Sequence, residues 1–161
     1  MKTFWKVVGA IVVCLLLLLL VLSITGFGPR ARTPGLWLKG GLVTTPVTDW
    51  SFTDKIPTIQ LQTETWYLLP HSVNINCVAY NGRLYLTSVY PAGTRRGWNE
   101  NVERDPHVRL KIGDKLYDRT LTEVTDATEK MGELQARVTK YRQLRPPQDI
   151  STAHVFRVED N

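Results

Sequence analysis

From Val7 to Ile24 the chain carries no charged residue and includes six successive leucines, Leu15 to Leu20. About 18 uninterrupted apolar residues is the length at which a helix crosses a bilayer core. No Asp or Glu occurs before Asp49, and Lys2 and Lys6 flank the run on its N-terminal side. A cleavable signal peptide would share the basic start. The run is longer than an ordinary signal core, however, and Ser23-Ile24-Thr25-Gly26-Phe27 offers no small-x-small cleavage site. The pattern predicts an uncleaved membrane anchor over residues 1–26, in contact with lipid. Basic residues balance across its two flanks, and a very short N-terminal tail that stays inside places the rest of the chain on the outer, periplasmic side of a bacterial inner membrane.

Beyond the anchor the pattern changes twice. Residues 27–49 contain several Gly and Pro with little periodicity and predict a linker that lifts the following domain off the membrane. From Trp50 the signals turn to β. Thr58 to Thr63 alternates Ile59 and Leu61 with polar neighbours, and Val73, Ile75, Cys77 and Ala79 share one face of a second strand, opposite Asn74, Asn76 and Tyr80. Asn81-Gly82 is the preferred two-residue hairpin turn, because both of its positions must accept positive φ, and it leads into a strand over Arg83 to Ser88. His107 to Ile112 and Lys115 to Val124 flank Gly113-Asp114 as a second hairpin.

Thr125 or Asp126 is placed to cap a helix, with Met131, Leu134, Val138 and Tyr141 at helical spacing and a stop near Arg145-Pro146-Pro147. His154 to Val158 supplies a last strand. Residues 50–161 are enough for one core and too few for two, so they predict a single, mainly β domain of α+β class with one long C-terminal helix.

Composition narrows the function classes. The 161 residues hold 20 Lys and Arg against 15 Asp and Glu, and Lys2 and Lys6 belong to the anchor, so the remainder is only slightly basic and predicts no nucleic-acid partner. Cys14 lies in the apolar run and Cys77 in a strand, which excludes a disulfide framework and a thiolate metal site. The three histidines, His71, His107 and His154, are far apart, none opens a metal-binding spacing, and no metal is expected. No Gly-x-Ser-x-Gly elbow, phosphate-binding P-loop or dinucleotide glycine motif is present.

Candidate chemistry concentrates between Asn81 and Tyr117. Tyr90-Pro91-Ala92-Gly93-Thr94-Arg95-Arg96-Gly97 joins turn residues to two guanidinium groups, a combination suited to a phosphate. Trp98 and Asn101 lie three apart, so one helical turn points them the same way, and Asp105-Pro106 ends that turn. By the residues alone, a solvated loop followed by a tryptophan core plug accounts for the same pattern.

Taken as an ordered set, Asn81-Gly82-Arg83-Leu84-Tyr85-Leu86-Thr87-Ser88, the loop, Trp98-x-x-Asn101-x-x-Arg104-Asp105-Pro106-His107-Val108 and the strand running into Gly113 resemble the split-barrel flavin-binding superfamily. Within it the pyridoxamine 5'-phosphate oxidase-like proteins and the deazaflavin-dependent nitroreductases are most similar. The resemblance covers roughly Trp50 to Glu159. It implies a six-stranded antiparallel split β-barrel, usually a homodimer, binding flavin near the subunit interface. It also implies Thr87 and Ser88 at the strand end beside the ring or ribityl chain, Arg95 and Arg96 at the phosphate, and Trp98 and Asn101 ordering the loop, with Asn74 and Asn76 facing the ring from the neighbouring strand.

Two departures stand out. Val102 replaces the commoner Leu, and Thr63-Glu64-Thr65-Trp66 stands where the nitroreductases carry a Thr-Gly-Arg-x-Ser-Gly-type segment that helps bind the deazaflavin phosphate. The second favours FMN over a deazaflavin coenzyme, or a pocket with no flavin. The resemblance therefore implies an FMN-dependent oxidoreductase acting on a small or membrane-derived acceptor. The other expectations are a non-enzymatic barrel holding haem or a lipid-like ligand, and a barrel that only dimerises.

Overall fold

The computed structural model describes residues 1–89, 97–145, 147 and 150–160. Helix α1, Lys2–Thr25, has 24 residues and buries none of them. At a 1.5 Å rise it is about 36 Å long, and its length and composition are sufficient to cross a membrane. Its last turn closes on Gly26, whose N–H bonds to the Leu22 carbonyl at φ 82°, a conformation that glycine adopts without strain.

The remaining elements run β1 (Gly41–Leu42), β2 (Ile59–Glu64), β3 (Pro70–Ile75), β4 (Cys77–Tyr80), β5 (Arg83–Val89), α2 (Gly97–Arg104), β6 (His107–Ile112), β7 (Lys115–Glu123), α3 (Ala127–Lys140) and β8 (Ala153–Glu159), with short 3-10 turns at 51–55 and 150–152. The strands form one sheet in the order β3-β2-β6-β7-β8-β5-β4, every neighbouring pair antiparallel. The two-residue β1 pairs with β7 in parallel.

β3 and β4 are consecutive in the chain yet occupy opposite edges of the sheet. They are one strand bent at Asn76. Its first half pairs with β2, Ile75 opposite Ile59, and its second half pairs with β5, Cys77 opposite Leu86. Covalent continuity through this corner closes the sheet, giving the expected six strands in a closed ring. The expected second strand is longer than its apolar alternation suggests and is divided between two partners.

The ring encloses Ile59, Leu61, Ile75, Cys77, Leu84, Leu86, Leu110, Phe156 and Val158, all buried. The alternate positions of β4, β5 and β8 point outward, where Tyr85, Val155 and Ala153 meet Leu134 of α3 in a second, smaller core. Asn81 and Gly82 take φ of 50° and 75° as the hairpin requires.

One alternative is resolved and two expectations are corrected. Of the two expected caps, Asp126 caps α3, accepting from the Glu129 N–H at 2.7 Å. The helix ends at Lys140, before the proline pair, because Tyr141 leaves helical geometry with its ring anchored in the barrel corner. Met131 is exposed, and Glu133 shares the inward face with Leu134 in its place.

The segment after α1 also differs from a free tether. Phe27 N–H bonds to the Trp37 carbonyl and Leu36 N–H to the Phe27 carbonyl, folding residues 27–37 back on themselves around a turn at Arg30–Thr33. Gly35 then exchanges two hydrogen bonds with Ser72 of β3, at 2.8 and 2.9 Å, and Leu38 is buried. A Cβ on Gly35 would collide with the backbone at Phe27 to Pro29, which explains why glycine stands there. The arm lies along the barrel because its backbone groups find partners on the free edge of β3.

Candidate functional site

β5 ends where α2 begins to seal the barrel. α2 turns its apolar side inward, so Trp98 and Val102 join the interior core and the Trp98 indole meets the Phe156 ring edge-on at 5.5 Å. Asn101 Nδ2 donates to Thr63 Oγ1 at 2.9 Å, and Arg104 donates to the Glu64 carbonyl, so the helix is fastened to β2. Asp105 accepts from the His107 backbone N–H at 3.1 Å, which stops the helix and aims β6.

A cleft of about 770 Å³ opens beside this plug. Its walls are Thr87, Ser88 and Val89 of β5, His71, Val73, Asn74 and Ile75 of β3, and Asn76 of the corner. Gly97 and Trp98 of α2, Arg137 of α3 and Ala31 to Pro34 of the arm that follows α1 complete it. The volume lies in the range of small-molecule and cofactor sites.

Thr87 and Ser88 reach the cleft from opposite faces of β5, a consequence of the two-residue period of a strand. Thr87 points outward beneath α3 and donates to Glu133 Oε1 at 2.6 Å. Ser88 points inward and accepts from Asn99 Nδ2 at 2.8 Å, which leaves the Ser88 hydroxyl hydrogen available as a donor. Asn74 Nδ2 donates to the Ala31 carbonyl at 3.0 Å and so ties the arm to the cleft wall.

His71 Nδ1 is buried without a hydrogen-bond partner, and burial lowers the His71 pKa, which favours the neutral imidazole. Glu133 is fully buried, its Oε2 has no partner, and burial pushes its pKa up to about 7 against the smaller opposing pulls of Thr87 and Arg137.

The residues expected at the site separate into three groups. Thr87, Ser88 and Trp98 border the cleft, as do Asn74 and Asn76. Asn101 lies behind Trp98 on Thr63 and is not among the lining residues. Arg95 and Arg96 lie outside the described residues.

Sequence reasoning missed Arg32, Arg137, His71, Asn99 and Glu133. One signal was present: Glu133, Arg137 and Lys140 stand at i, i+4 and i+7, a polar stripe alongside Leu134, Val138 and Tyr141. The segment Thr63 to Trp66 adds nothing to the lining, and Trp66 is exposed. No cluster of three or more metal-ligating side chains occurs among the described residues.

Neither family models nor curated proteins match the sequence. Solved structures do. A candidate 5-nitroimidazole antibiotic resistance protein from Bacteroides thetaiotaomicron is similar with a TM-score of 0.54 at 15% identity, over 80% of this chain and 84% of that one. An F420-H2-dependent reductase is similar with a TM-score of 0.50 at 24% identity, over 65% and 95%. A heme storage protein from Vibrio cholerae gives a TM-score of 0.50 at 16% identity, over 69% and 86%. These likenesses show the fold, a split β-barrel.

Proposed function

We propose that the chain is a membrane-anchored flavoprotein of FMN type, an oxidoreductase acting on a small or membrane-derived acceptor, organised as an anchor, a juxtamembrane arm and a barrel. The observation that carries this reading is the convergence on one cleft of two hydroxyls, two amides, an indole and two guanidinium groups from β5, the β3–β4 corner, α2, α3 and the arm. Bound flavin would supply the two-electron chemistry.

The residues present suit such a group. Arg32 and Arg137 are placed for a phosphate, and Arg95 and Arg96 join them in this reading. Asn74, Asn76 and the donor hydrogen of Ser88 match the polar edge of an isoalloxazine ring, and Trp98 walls off the apolar side. The partnerless Nδ1 of His71 is a buried polar atom that a ligand would satisfy.

Residues 31–34 follow the end of α1 by only six to nine residues, so a membrane-spanning α1 holds the cleft within about 30 Å of the bilayer surface. That closeness favours an acceptor dissolved in or leaving the membrane. The homodimer implied by the sequence resemblance belongs to the same reading.

One observation favours a second reading. His71 lines the cleft, and an imidazole is a ligand that haem iron takes. The absorbance spectrum of full-length protein purified from its native membrane separates the two. Flavin bands support the first reading, a Soret band abolished by His71→Ala supports the second, and the absence of both after incubation with FMN, deazaflavin coenzyme and haemin rejects both.

A further inference from the structure

Glu133 is a carboxyl group buried on the inward face of α3, between the helix and the outer face of β5. Burying a carboxyl without a full set of partners is costly, and Oε2 here has none. Its one partner is the Thr87 hydroxyl, whose other side borders the cleft. A hydroxyl carries one hydrogen, so what Thr87 shows the cleft depends on what it shows Glu133. An ionised Glu133 can only accept, so Thr87 must donate to it and turns lone pairs toward the cleft. A protonated Glu133 can donate to Thr87 Oγ1, which frees the Thr87 hydrogen to point at a ligand.

We propose that Glu133 sets the hydrogen-bond polarity of the cleft wall, its proton deciding whether Thr87 offers the ligand a donor or an acceptor. The inference rests on the flavin-cleft reading above.

The charged and titratable groups around Glu133 leave room for both states. On its own helix, Glu129 is held by the Tyr85 hydroxyl of β5 at 2.6 Å and by Arg157 of β8 at 2.9 and 3.0 Å, so its charge is already matched. Arg137, one turn on, favours the carboxylate, and burial opposes it more strongly. From β4, Tyr80 packs on Gly132. Arg137 also lines the cleft, so an anion bound there would draw its charge away from Glu133 and favour the protonated form. Glu133 acts through Thr87 and is therefore a positioning residue.

The test uses full-length protein in detergent, titrated with FMN by fluorescence well below and well above pH 7. Glu133→Gln removes the titrating proton and leaves a neutral carboxamide, which like the protonated carboxyl can donate to Thr87, now at every pH. FMN's ring edge carries more acceptors than donors. The ratio of wild-type to Glu133→Gln affinity is therefore expected near one on the acid side and lower by about fivefold on the alkaline side, the worth of roughly one net hydrogen bond. The titration of the FMN phosphate is common to both proteins and cancels in the ratio. In a Thr87→Val background the alkaline fall shrinks to the part that Arg137 carries between Glu133 and the bound phosphate.

Infrared spectra of ligand-free protein add a direct signature: the C=O band of a protonated carboxyl that disappears as pH rises through neutrality and is absent from Glu133→Gln. A flat ratio in the wild-type background, or no such titrating band, overturns the inference and leaves the cleft reading standing. Failure of the wild type to take up FMN at any pH overturns that reading and this inference with it.

Discussion

The Cys77 backbone N–H donates to the Tyr141 hydroxyl at 3.1 Å, joining the residue after α3 to the corner at which the barrel closes. The same hydroxyl lies 2.6 Å from the Pro57 carbonyl, and the Lys140 ammonium donates to the Thr53 and Cys77 carbonyls, both at 2.8 Å. The bend at Asn76 takes backbone groups out of the sheet ladder, and the end of α3 satisfies them. Such groups, buried and unpaired, would cost free energy. The Lys140 ammonium also lies 3.8 Å from Cys77 Sγ, but burial outweighs it and raises the thiol's pKa, so Cys77 is a core residue whose burial favours the neutral thiol.

Tyr141→Phe keeps the ring and deletes the hydroxyl, leaving the Cys77 N–H without a partner. The expected loss is about 1–3 kcal/mol of stability, measured by denaturant unfolding, with no change in the secondary structure of α1.

Gly132 faces the Tyr80 ring so closely that a Cβ there would overlap the phenol. Gly132→Ala gains helix propensity, yet overpacking should dominate, with a net cost of about 1–3 kcal/mol. Pairing it with Tyr80→Ala should recover part of that loss, and the double-mutant cycle measures the recovery.

Much of this architecture was legible in the sequence, and the reasons are local. The alternation around Ile59 and Leu61, the Asn81-Gly82 turn and the Asp126 cap depend on residues within a few positions of one another, and each stands where expected. The corner at Asn76 did not announce itself, because one strand with two partners on opposite edges is decided by ring closure and not by its own alternation. Arg32 was hidden in a segment whose glycines and prolines suggested a loose linker, although backbone pairing with β3 holds it at the cleft. Glu133 was hidden by its charge, since composition rules put glutamate outside unless a partner is known.

Glu133 also makes a stability prediction. The folded protein holds its proton up to about pH 7, whereas the unfolded chain releases it near the ordinary carboxylate value of 4.5. Between those values the native state binds more protons, so this group's contribution to stability is fully present below 4.5, falls as pH rises and is gone above about 7. Glu133→Gln removes the dependence. Relative to that variant, the wild-type melting temperature should decline across the window, by the equivalent of a few kcal/mol at most. Parallel profiles for the two proteins would contradict the assignment.

Arg32 and Arg137 enter the cleft from different elements, the arm and α3. If both meet a phosphate, Arg32→Ala and Arg137→Ala should each weaken FMN binding by about 1.5–3 kcal/mol, roughly ten- to a hundredfold. Riboflavin, which lacks the phosphate, should be bound equally by wild type and variants. An equal loss for both ligands would instead mean that the arginines act on the ring or on folding.

The central claim is that the cleft between β5, α2 and the arm that follows α1 holds a flavin, and equilibrium titration of the ligand-free full-length protein with FMN tests it most directly. Saturable quenching of flavin fluorescence at one site per chain, weakened in Arg32→Ala and Arg137→Ala variants that melt like the wild type, is the predicted result. No saturable uptake of FMN or of a deazaflavin by folded protein would contradict it.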